Sequence, residues 1–287
     1  MVKMIIMIVC YLILAPVIGG LLAGIDRVLS ARLQGRQGPP VLQPFYDFFK
    51  LLEKEPITVN NVQDFYVGCF LLFVIVTGCF FFAGLDMLLV IFTLTLASVF
   101  LIVGAFSANS AYPQMGAERE LLQMMAYEPM VLMTAIGFYI FNGSFVISDI
   151  AASDRMAFPY MIGIFAGFVF ILTIKFRKSP FDLSMSHHAH QELVAGLKTE
   201  FSGKTLAMVE IAHWYENVFL LGFIFLFFAN GTIAGTIIGL VVCLITYFFE
   251  TFVDNNFARM KWNVAINASW LVAITLGMVN IIVLYFM

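Results

Sequence analysis

The strongest constraint on this chain is a series of eight apolar runs, each close to the ~20 residues that an α-helix needs to cross a bilayer. They cover residues 4–25, 65–82, 86–106, 120–141, 158–174, 206–228, 231–252 and 262–286. Of the 287 residues, 62% are hydrophobic and only 11% are charged. An average soluble domain has about 25% charged residues. The sequence therefore predicts an all-α, polytopic membrane bundle of about eight transmembrane helices, forming one integral membrane domain over residues 1–287.

The distribution of basic residues predicts the orientation of this bundle. If the amino terminus lies outside, 13 of the 15 Lys and Arg residues fall on the inner side and only Lys3 and Arg155 fall outside. The long polar segments, at about 26–64, 107–119 and 175–205, are also on the inner side. Long loops in a compact bundle are unusual unless they are functional. We therefore expect a multi-pass protein of the cell membrane whose cytoplasmic face docks a partner, although such a face can also serve only to set the topology.

The first inner segment contains a second helical pattern, which starts at Pro44. Apolar side chains at Phe45, Phe48, Phe49 and Leu52 recur at three- and four-residue spacing, opposite Asp47, Lys50 and Lys54. Pro44 is typical of a helix start, and Pro56 follows the end of the pattern. The segment predicts an amphipathic helix that lies in the membrane interface. The alternative is a surface helix packed on a partner.

Nothing in the chain has the pattern of a resident redox or metal centre. The four cysteines lie inside apolar runs and form no CxxC pair, and no GxGxxG or Walker sequence is present. His187, His188 and His190 form a cluster, but no cysteine or suitably spaced acid completes a zinc site. We expect no cofactor in this chain and a hydrogen-bonded or proton-accepting role for the three histidines.

Three ionisable residues lie on one side of the sixth apolar run. Glu210, His213 and Glu216 are three residues apart, so they cover an arc of about 120° on a helix of 3.6 residues per turn. Ionisable groups inside a membrane segment are costly and usually face the bundle interior or a wet cavity. Burial and mutual charge can bring such groups to the neutral pKa values that a proton relay needs. The alternative is that one of them only balances an Arg or Lys from another segment.

The remaining acids near the inner side receive separate predictions. Glu118 and Glu120 are expected at the start of the fourth span, where the helix dipole favours anions. Glu128 precedes Pro129, which frees a backbone carbonyl and predicts a kink. The pair suggests an ion or proton station, or else a structural glutamate bonded to a neighbouring helix. We expect Glu250 and Asp254, at the inner end of the seventh span, to be solvated.

Several short motifs resemble a known family when they are taken together and in order. They are Gln34-Gly-Arg36-Gln-Gly38-Pro39, Leu42-Gln43-Pro44, Ala126-Tyr127-Glu128, Ser179-Pro180-Phe181-Asp182-Leu183, Glu192-Leu193-Val194-Ala195-Gly196 and Thr199-Glu200-Phe201-Ser202-Gly203. The chain resembles the membrane subunit of respiratory complex I that borders the quinone cavity. The histidine-bearing segment 184–191 and His213 depart from that pattern. With them the chain resembles the branch found in energy-converting nickel–iron hydrogenases of the Ech type and in formate hydrogenlyase.

This resemblance implies a non-catalytic membrane subunit that docks a hydrogenase module and couples its electron transfer to H⁺ or Na⁺ translocation. The implied partners are the large and small nickel–iron hydrogenase subunits, an iron–sulfur subunit and an antiporter-like membrane subunit, in a lipid bilayer and without nucleic acid. The nickel–iron centre and iron–sulfur clusters would lie in those partners. The alternative is the quinone-cavity subunit of a complex I-type dehydrogenase. A self-standing transporter and a purely structural anchor rank lower.

The predicted functional residues form two groups. The ion or proton pathway comprises Glu128, Asp182, Glu192 and Glu200 by motif match, with Glu210, His213 and Glu216 added by position. The contacts with the partner are expected at Arg36, Asp47, Lys50, Glu118, Arg119, Glu120, His187, His188 and His190.

Overall fold

The computed structural model describes residues 2–55, 57, 60–184, 193 and 195–287, with the backbone alone at Asn61. Apart from one isolated bridge between Asp86 and Val146, the regular structure in these ranges is helical. The helices are α1 Val2–Leu33, α2 Gln43–Glu53, α3 Asn61–Phe82, α4 Met87–Phe106, α5 Ala111–Asn142, α6 Ile147–Ala151, α7 Ile162–Lys175, α8 Gly203–Leu226, α9 Ile233–Asn256, α10 Trp262–Val272 and α11 Val279–Phe286. A π-helical segment, Ala273–Met278, joins α10 and α11 into one continuous helix, and a 3₁₀ turn at Gly196–Lys198 precedes α8.

Seven of these helices are long and apolar enough to cross a membrane, which confirms the predicted polytopic bundle. They are α1, α3, α4, α5, α8, α9 and the continuous α10–α11 helix. The predicted span 158–174 forms only the 14 residues of α7. At 1.5 Å per residue, α7 is about 21 Å long, which is less than the ~30 Å of a hydrocarbon core. The short length of α7 determines where the polar residues after it lie.

Two helices extend further towards the polar side than the sequence predicted. The helix α1 continues to Leu33, so the beginning of the predicted inner segment 26–64 is helical. The helix α5 begins at Ala111, so most of the segment 107–119 is helical as well. Pro113 does not prevent this start, because backbone N–H groups in a first helical turn have no intrahelical partner.

The helix α8 packs against α1, α2, α3 and α9. Gly19 of α1 lies directly against the backbone of Trp214, so that any Cβ atom at this position would overlap it. The Tyr215 hydroxyl donates a 2.8 Å hydrogen bond to the carbonyl of Leu12. These contacts fix α8 in the bundle and place its ionisable residues among neighbouring helices.

The predicted amphipathic helix is present as α2 and lies against α8. The rings of Phe45 and Phe48 pack on Trp214, with centroid distances of 5.2 and 5.6 Å. Next to this face, Tyr46 and Phe49 are both 59% exposed. The helix therefore covers the bundle with one aromatic face and leaves a second aromatic edge uncovered.

Candidate functional site

The site begins where α7 ends inside the bundle. Lys175 is the last residue of α7, and the chain then continues without helical structure through residues 176–184. Lys175 and Lys178 are only 7% exposed and Asp182 is 3% exposed. Non-helical backbone at membrane depth is tolerated where it is enclosed by protein or lines a cavity. Here the neighbouring helices enclose it.

Polar groups of two helices and of the chain just before α10 satisfy the backbone of this segment. The Gln123 side chain on α5 donates to the carbonyl of Phe181. The Ser179 N–H donates to Asp254 of α9 at 2.7 Å. The Met260 N–H, just before α10, donates to the carbonyl of Pro180 at 3.0 Å. The segment is thus held in a defined position, and so are the charges on it.

Five buried ionisable residues meet at the end of α7, and we call them the Arg177 network: Glu120, Lys175, Arg177, His213 and Glu216. Arg177 binds Glu120 at 3.0 Å and lies 3.8 Å from a Glu216 oxygen. Its Nη1 is 3.1 Å from Nδ1 of His213. The Nζ of Lys175 lies 3.4 Å from the other Glu216 oxygen. Each of the five side chains is at most 13% exposed.

The charges of this network balance when His213 is neutral. Two cations, Lys175 and Arg177, face two carboxylates, Glu120 and Glu216. Burial lowers the pKa of Arg177, but the charges of Glu120 and Glu216 outweigh burial and raise it above its usual value. Arg177 therefore stays charged. Buried charges persist only when they are paired in this way.

His213 contacts both a cation and a carboxylate of the network. The Nη1 of Arg177 lies 3.1 Å from Nδ1 and 3.4 Å from Nε2 of His213, so it can donate to whichever ring nitrogen carries no proton. The same Nδ1 is 3.4 Å from Glu216. A proton added at Nδ1 would replace the Arg177 contact with a charged contact to Glu216. The geometry thus offers two arrangements of one histidine.

Further polar groups lie near the network, on α5 and in the segment after α7. The Lys175 ammonium lies 4.2 Å from the centre of the Tyr127 ring. Ser184 donates a hydrogen bond to the second oxygen of Glu120. Glu128 follows Tyr127 and is half-buried, and one of its carboxyl oxygens has no hydrogen-bond partner among the described residues.

Of the predicted pathway residues that the structure describes, it brings two together, His213 and Glu216. Glu210 lies on α8 nearer the polar end, where it pairs with Lys198 at 2.7 Å. Asp182 is buried 3.8 Å from Arg259. Glu200 is half-buried in the turn before α8. Glu192 lies outside the described residues.

Most of the predicted partner contacts that the structure describes are accessible to a partner, but one of them, Glu120, is not. Arg36, Lys50 and Glu118 are exposed, and Asp47 and Arg119 are partly exposed. Glu120, in contrast, is buried in the Arg177 network. It does not lie at a helix start, because α5 begins at Ala111. His187, His188 and His190 lie outside the described residues.

Sequence reasoning missed the two cations of the network and misassigned one acid. The sequence pattern places Lys175 and Arg177 among the basic residues of the inner side and assigns them no site, although 158–174 is the shortest of the eight apolar runs and Lys175 follows it directly. A short run followed by basic residues was the signal that these cations lie inside the bundle. The expectation that Glu250 is solvated was also wrong, since Glu250 is fully buried on α9. Asp254 is partly buried and accepts the Ser179 N–H.

The site has the character of a hydrogen-bonded charge network, without a ligand cage. Within the described ranges, no group of three His, Cys, Asp or Glu side chains is arranged to hold a metal ion. The two best-formed cavities in the same ranges each have room for about one water molecule, and Lys175 lines one of them. The described site is thus a set of mutually paired buried charges around His213.

The fold and the site together define a polytopic membrane protein that encloses a charge-balanced ionic network in its bundle. The sequence profile of the NADH dehydrogenase family matches residues 3–285. The chain belongs to this family and is a membrane subunit of the complex I-like kind.

Individual relatives come from several kinds of complex. A subunit of the NADH-quinone oxidoreductase of Geobacillus kaustophilus (strain HTA426) is 28% identical, over 94% of this chain and 89% of the relative. Hydrogenase-4 component C of Escherichia coli (strain K12) is 24% identical, over 88% and 87% of the two chains. A chain of the membrane-bound sulfane sulfur reductase, an archaeal respiratory membrane complex, has the same fold. Its TM-score is 0.87 at 24% identity, over 98% of this chain and 99% of the other.

Proposed function

We propose that this chain is the non-catalytic membrane subunit that docks a nickel–iron hydrogenase module on its polar face and couples the module's electron transfer to translocation of H⁺ or Na⁺. The observation that carries the coupling part of this proposal is the Arg177 network. Five buried ionisable groups in contact are costly to maintain in a membrane protein, and such groups usually mark an ion or proton path. A bundle that served only as an anchor would have no need of them.

The network is connected to the polar face along two routes. On α8, Glu210 lies three residues before His213 and pairs with Lys198, close to the polar end. Between α7 and α8, Ser184 binds Glu120, and its neighbour Asp182 faces Arg259. A change of charge or position at the docking face would reach the network through these contacts. We infer that Asp182, Glu200 and Glu210 form the entry and that His213, Glu216 and Glu128 lie further along the path.

The energies involved are sufficient for coupling. A shift of one pKa unit corresponds to about 1.4 kcal/mol. Moving one charge through 100 mV costs about 2.3 kcal/mol. A redox event that moves the pKa of a coupled group by about two units therefore supplies enough free energy to move one proton against such a potential.

The choice of a hydrogenase module rests on the likeness to Hydrogenase-4 component C and on the histidine-bearing segment 184–191. In this proposal the nickel–iron centre and the iron–sulfur clusters belong to the large, small and iron–sulfur subunits. An antiporter-like subunit lies beside this chain in the cytoplasmic membrane. The amino terminus is outside, and the charged ends of α1, α5 and α8 face the cytoplasm. The exposed aromatic edge of α2 is available to a partner or to the bilayer interface.

A second function is favoured by a specific observation. The relatives that are subunits of NADH-quinone oxidoreductases reach 28% identity, somewhat above the hydrogenase relative. In that case the docked module would transfer electrons to a quinone, and the same network would respond to quinone reduction.

Gentle purification of the tagged protein from its native membrane distinguishes these functions. We expect nickel–iron and iron–sulfur subunits to co-purify and the preparation to evolve hydrogen from reduced ferredoxin or formate. Co-purification of NADH- or quinone-reactive subunits without hydrogen evolution would assign the chain to a complex I-type dehydrogenase. A chain that purifies alone and folded would contradict both functions. The matched control is the same tag on an unrelated polytopic protein of the same membrane.

A further inference from the structure

A second buried acid lies outside the Arg177 network, on α9. Glu250 is fully buried, with 0% of its surface exposed. Neither of its carboxyl oxygens has a hydrogen-bond partner of good geometry among the described residues. Unpaired buried carboxyl groups are rare, because an ionised carboxylate without a partner is very costly to bury. The position therefore needs a physical explanation.

The charged groups around Glu250 are already committed to each other. Lys178 lies 2.5 Å from an Asp26 oxygen and 3.6 Å from Asp254. The other Asp26 oxygen accepts a 2.8 Å hydrogen bond from Thr251. One cation thus faces two carboxylates before Glu250 is counted. An ionised Glu250 would add a third negative charge, with only Lys178 to balance all three.

The polar groups that face Glu250 do not compensate a charge on it. They are the Thr173 hydroxyl on α7, the Lys178 ammonium and the Asp254 carboxylate, of which the last two already pair with each other. Tyr247, one turn earlier on α9, is 3% exposed. This arrangement favours the protonated, neutral form of Glu250. Only a rearrangement that brings Lys178 closer would stabilise the charged form.

The segment Thr173–Lys178 connects this acid to the Arg177 network. Lys175 and Arg177 belong to that network, whereas Thr173 and Lys178 face Glu250. A displacement of this short segment would change both environments together. If a change of charge in the Arg177 network drew Lys178 away from Asp26 and Asp254 and towards Glu250, the carboxyl would release its proton, and the reverse change would let it take up a proton.

We propose that Glu250 is a second proton-exchanging site, between α1, α7 and α9, which is loaded and unloaded as the Thr173–Lys178 segment responds to the Arg177 network. This inference rests on the proposed coupling function and adds a residue to the proton path. The ligand is a proton carried on the carboxylate, and no electron is transferred at this site. The path would thus run along both sides of the same segment.

Infrared spectroscopy of the purified complex tests the site directly. A protonated carboxyl group gives a C=O band that shifts in deuterated water and is distinct from the band of a carboxylate. We expect the difference spectrum between the reduced and oxidised complex to contain such a band. The band should be lost in Glu250→Gln, shifted in Glu250→Asp, and retained in Asp154→Asn, which changes an exposed acid at the other end of the bundle.

Ion counting on the same preparations separates the two proposals. If the wild-type complex moves no ions per electron, the proposed coupling function fails. If the wild type moves ions and Glu250→Gln keeps both the band and the wild-type ion count, the assignment of Glu250 fails alone. Should Glu250→Gln not assemble, Glu250→Asp still gives a decision, because an unshifted band in this variant would also exclude Glu250 as its source.

Discussion

Replacing Glu216 with glutamine is the most informative perturbation of the Arg177 network. The glutamine side chain has nearly the same volume, so the change removes a charge and leaves the packing in place. In the wild type, Glu216 faces Lys175 at 3.4 Å, Arg177 at 3.8 Å and His213 at 3.4 Å. After Glu216→Gln, two buried cations face only one carboxylate, Glu120.

The expected cost follows from the burial of these groups. Removing one partner of a buried ion pair typically costs about 3–5 kcal/mol, because the other charge is left uncompensated. Glu216 is 4% exposed and Lys175 is 6% exposed, so solvent cannot replace the lost partner. We therefore expect Glu216→Gln to lower the free energy of unfolding by about 3–5 kcal/mol. Adding Lys175→Met restores the balance between Arg177 and Glu120, and should recover most of this loss.

The assay is the free energy of unfolding of the purified chain in mixed micelles, measured by titration with a denaturing detergent. The four proteins of the double-mutant cycle are compared, with Glu53→Gln as the control at an exposed position. A Glu216→Gln variant as stable as Glu53→Gln would refute the charge-balance reasoning. So would a double variant that is no more stable than the single one.

Two further predictions concern packing and pH. Gly19→Ala should weaken the contact between α1 and α8 by about 1–3 kcal/mol, because the new Cβ overlaps the backbone of Trp214. The control is Gly68→Ala, whose Cβ meets no atom within 4 Å, and this variant should keep the wild-type stability. Thermal unfolding of the two variants makes the comparison, and equal losses would contradict it. Burial raises the pKa of Asp47, but hydrogen bonds from Arg27 and Gln43 outweigh burial and lower it. Ionised Asp47 therefore stabilises the folded state at pH values above its unfolded pKa of about 3.9, and this stabilisation is lost as the pH falls through the lower pKa of the folded state. Because the Arg27–Asp47 pair is exposed, the contribution is less than ~1 kcal/mol. Hydrogen exchange of α2 in Asp47→Asn and the wild type should differ at neutral pH and converge in acid. A difference that persists in acid would exclude this ion pair as the cause.

The membrane class and most of the helices could be predicted from the sequence. An apolar run of about 20 residues in a bilayer has to satisfy its backbone hydrogen bonds internally, and an α-helix does this within one segment. The position of α2 followed from Pro44 and the spacing of its aromatic residues. The carboxyl end of α1 and the amino end of α5 could not be predicted, since both helices include polar residues that also suit a loop.

The composition of the site could be predicted only in part. His213 and Glu216 were identified because their spacing puts them on one side of a single helix. Arg177 contacts His213 although it lies 36 residues earlier in the chain. Glu120, which pairs with Arg177, lies a further 57 residues before Arg177. Such contacts depend on tertiary packing, for which a single sequence has no local signal. The burial of Glu250 was missed for the same reason.

Ion translocation by the purified complex in lipid vesicles tests the coupling role most directly. The wild type and the charge-balanced variant Glu216→Gln/Lys175→Met are compared for electrons transferred and for H⁺ or Na⁺ moved. If the Arg177 network couples the two processes, the double variant should transfer electrons while the number of ions moved per electron falls several-fold. An unchanged number of ions per electron in a fully assembled double variant would contradict the role of the network.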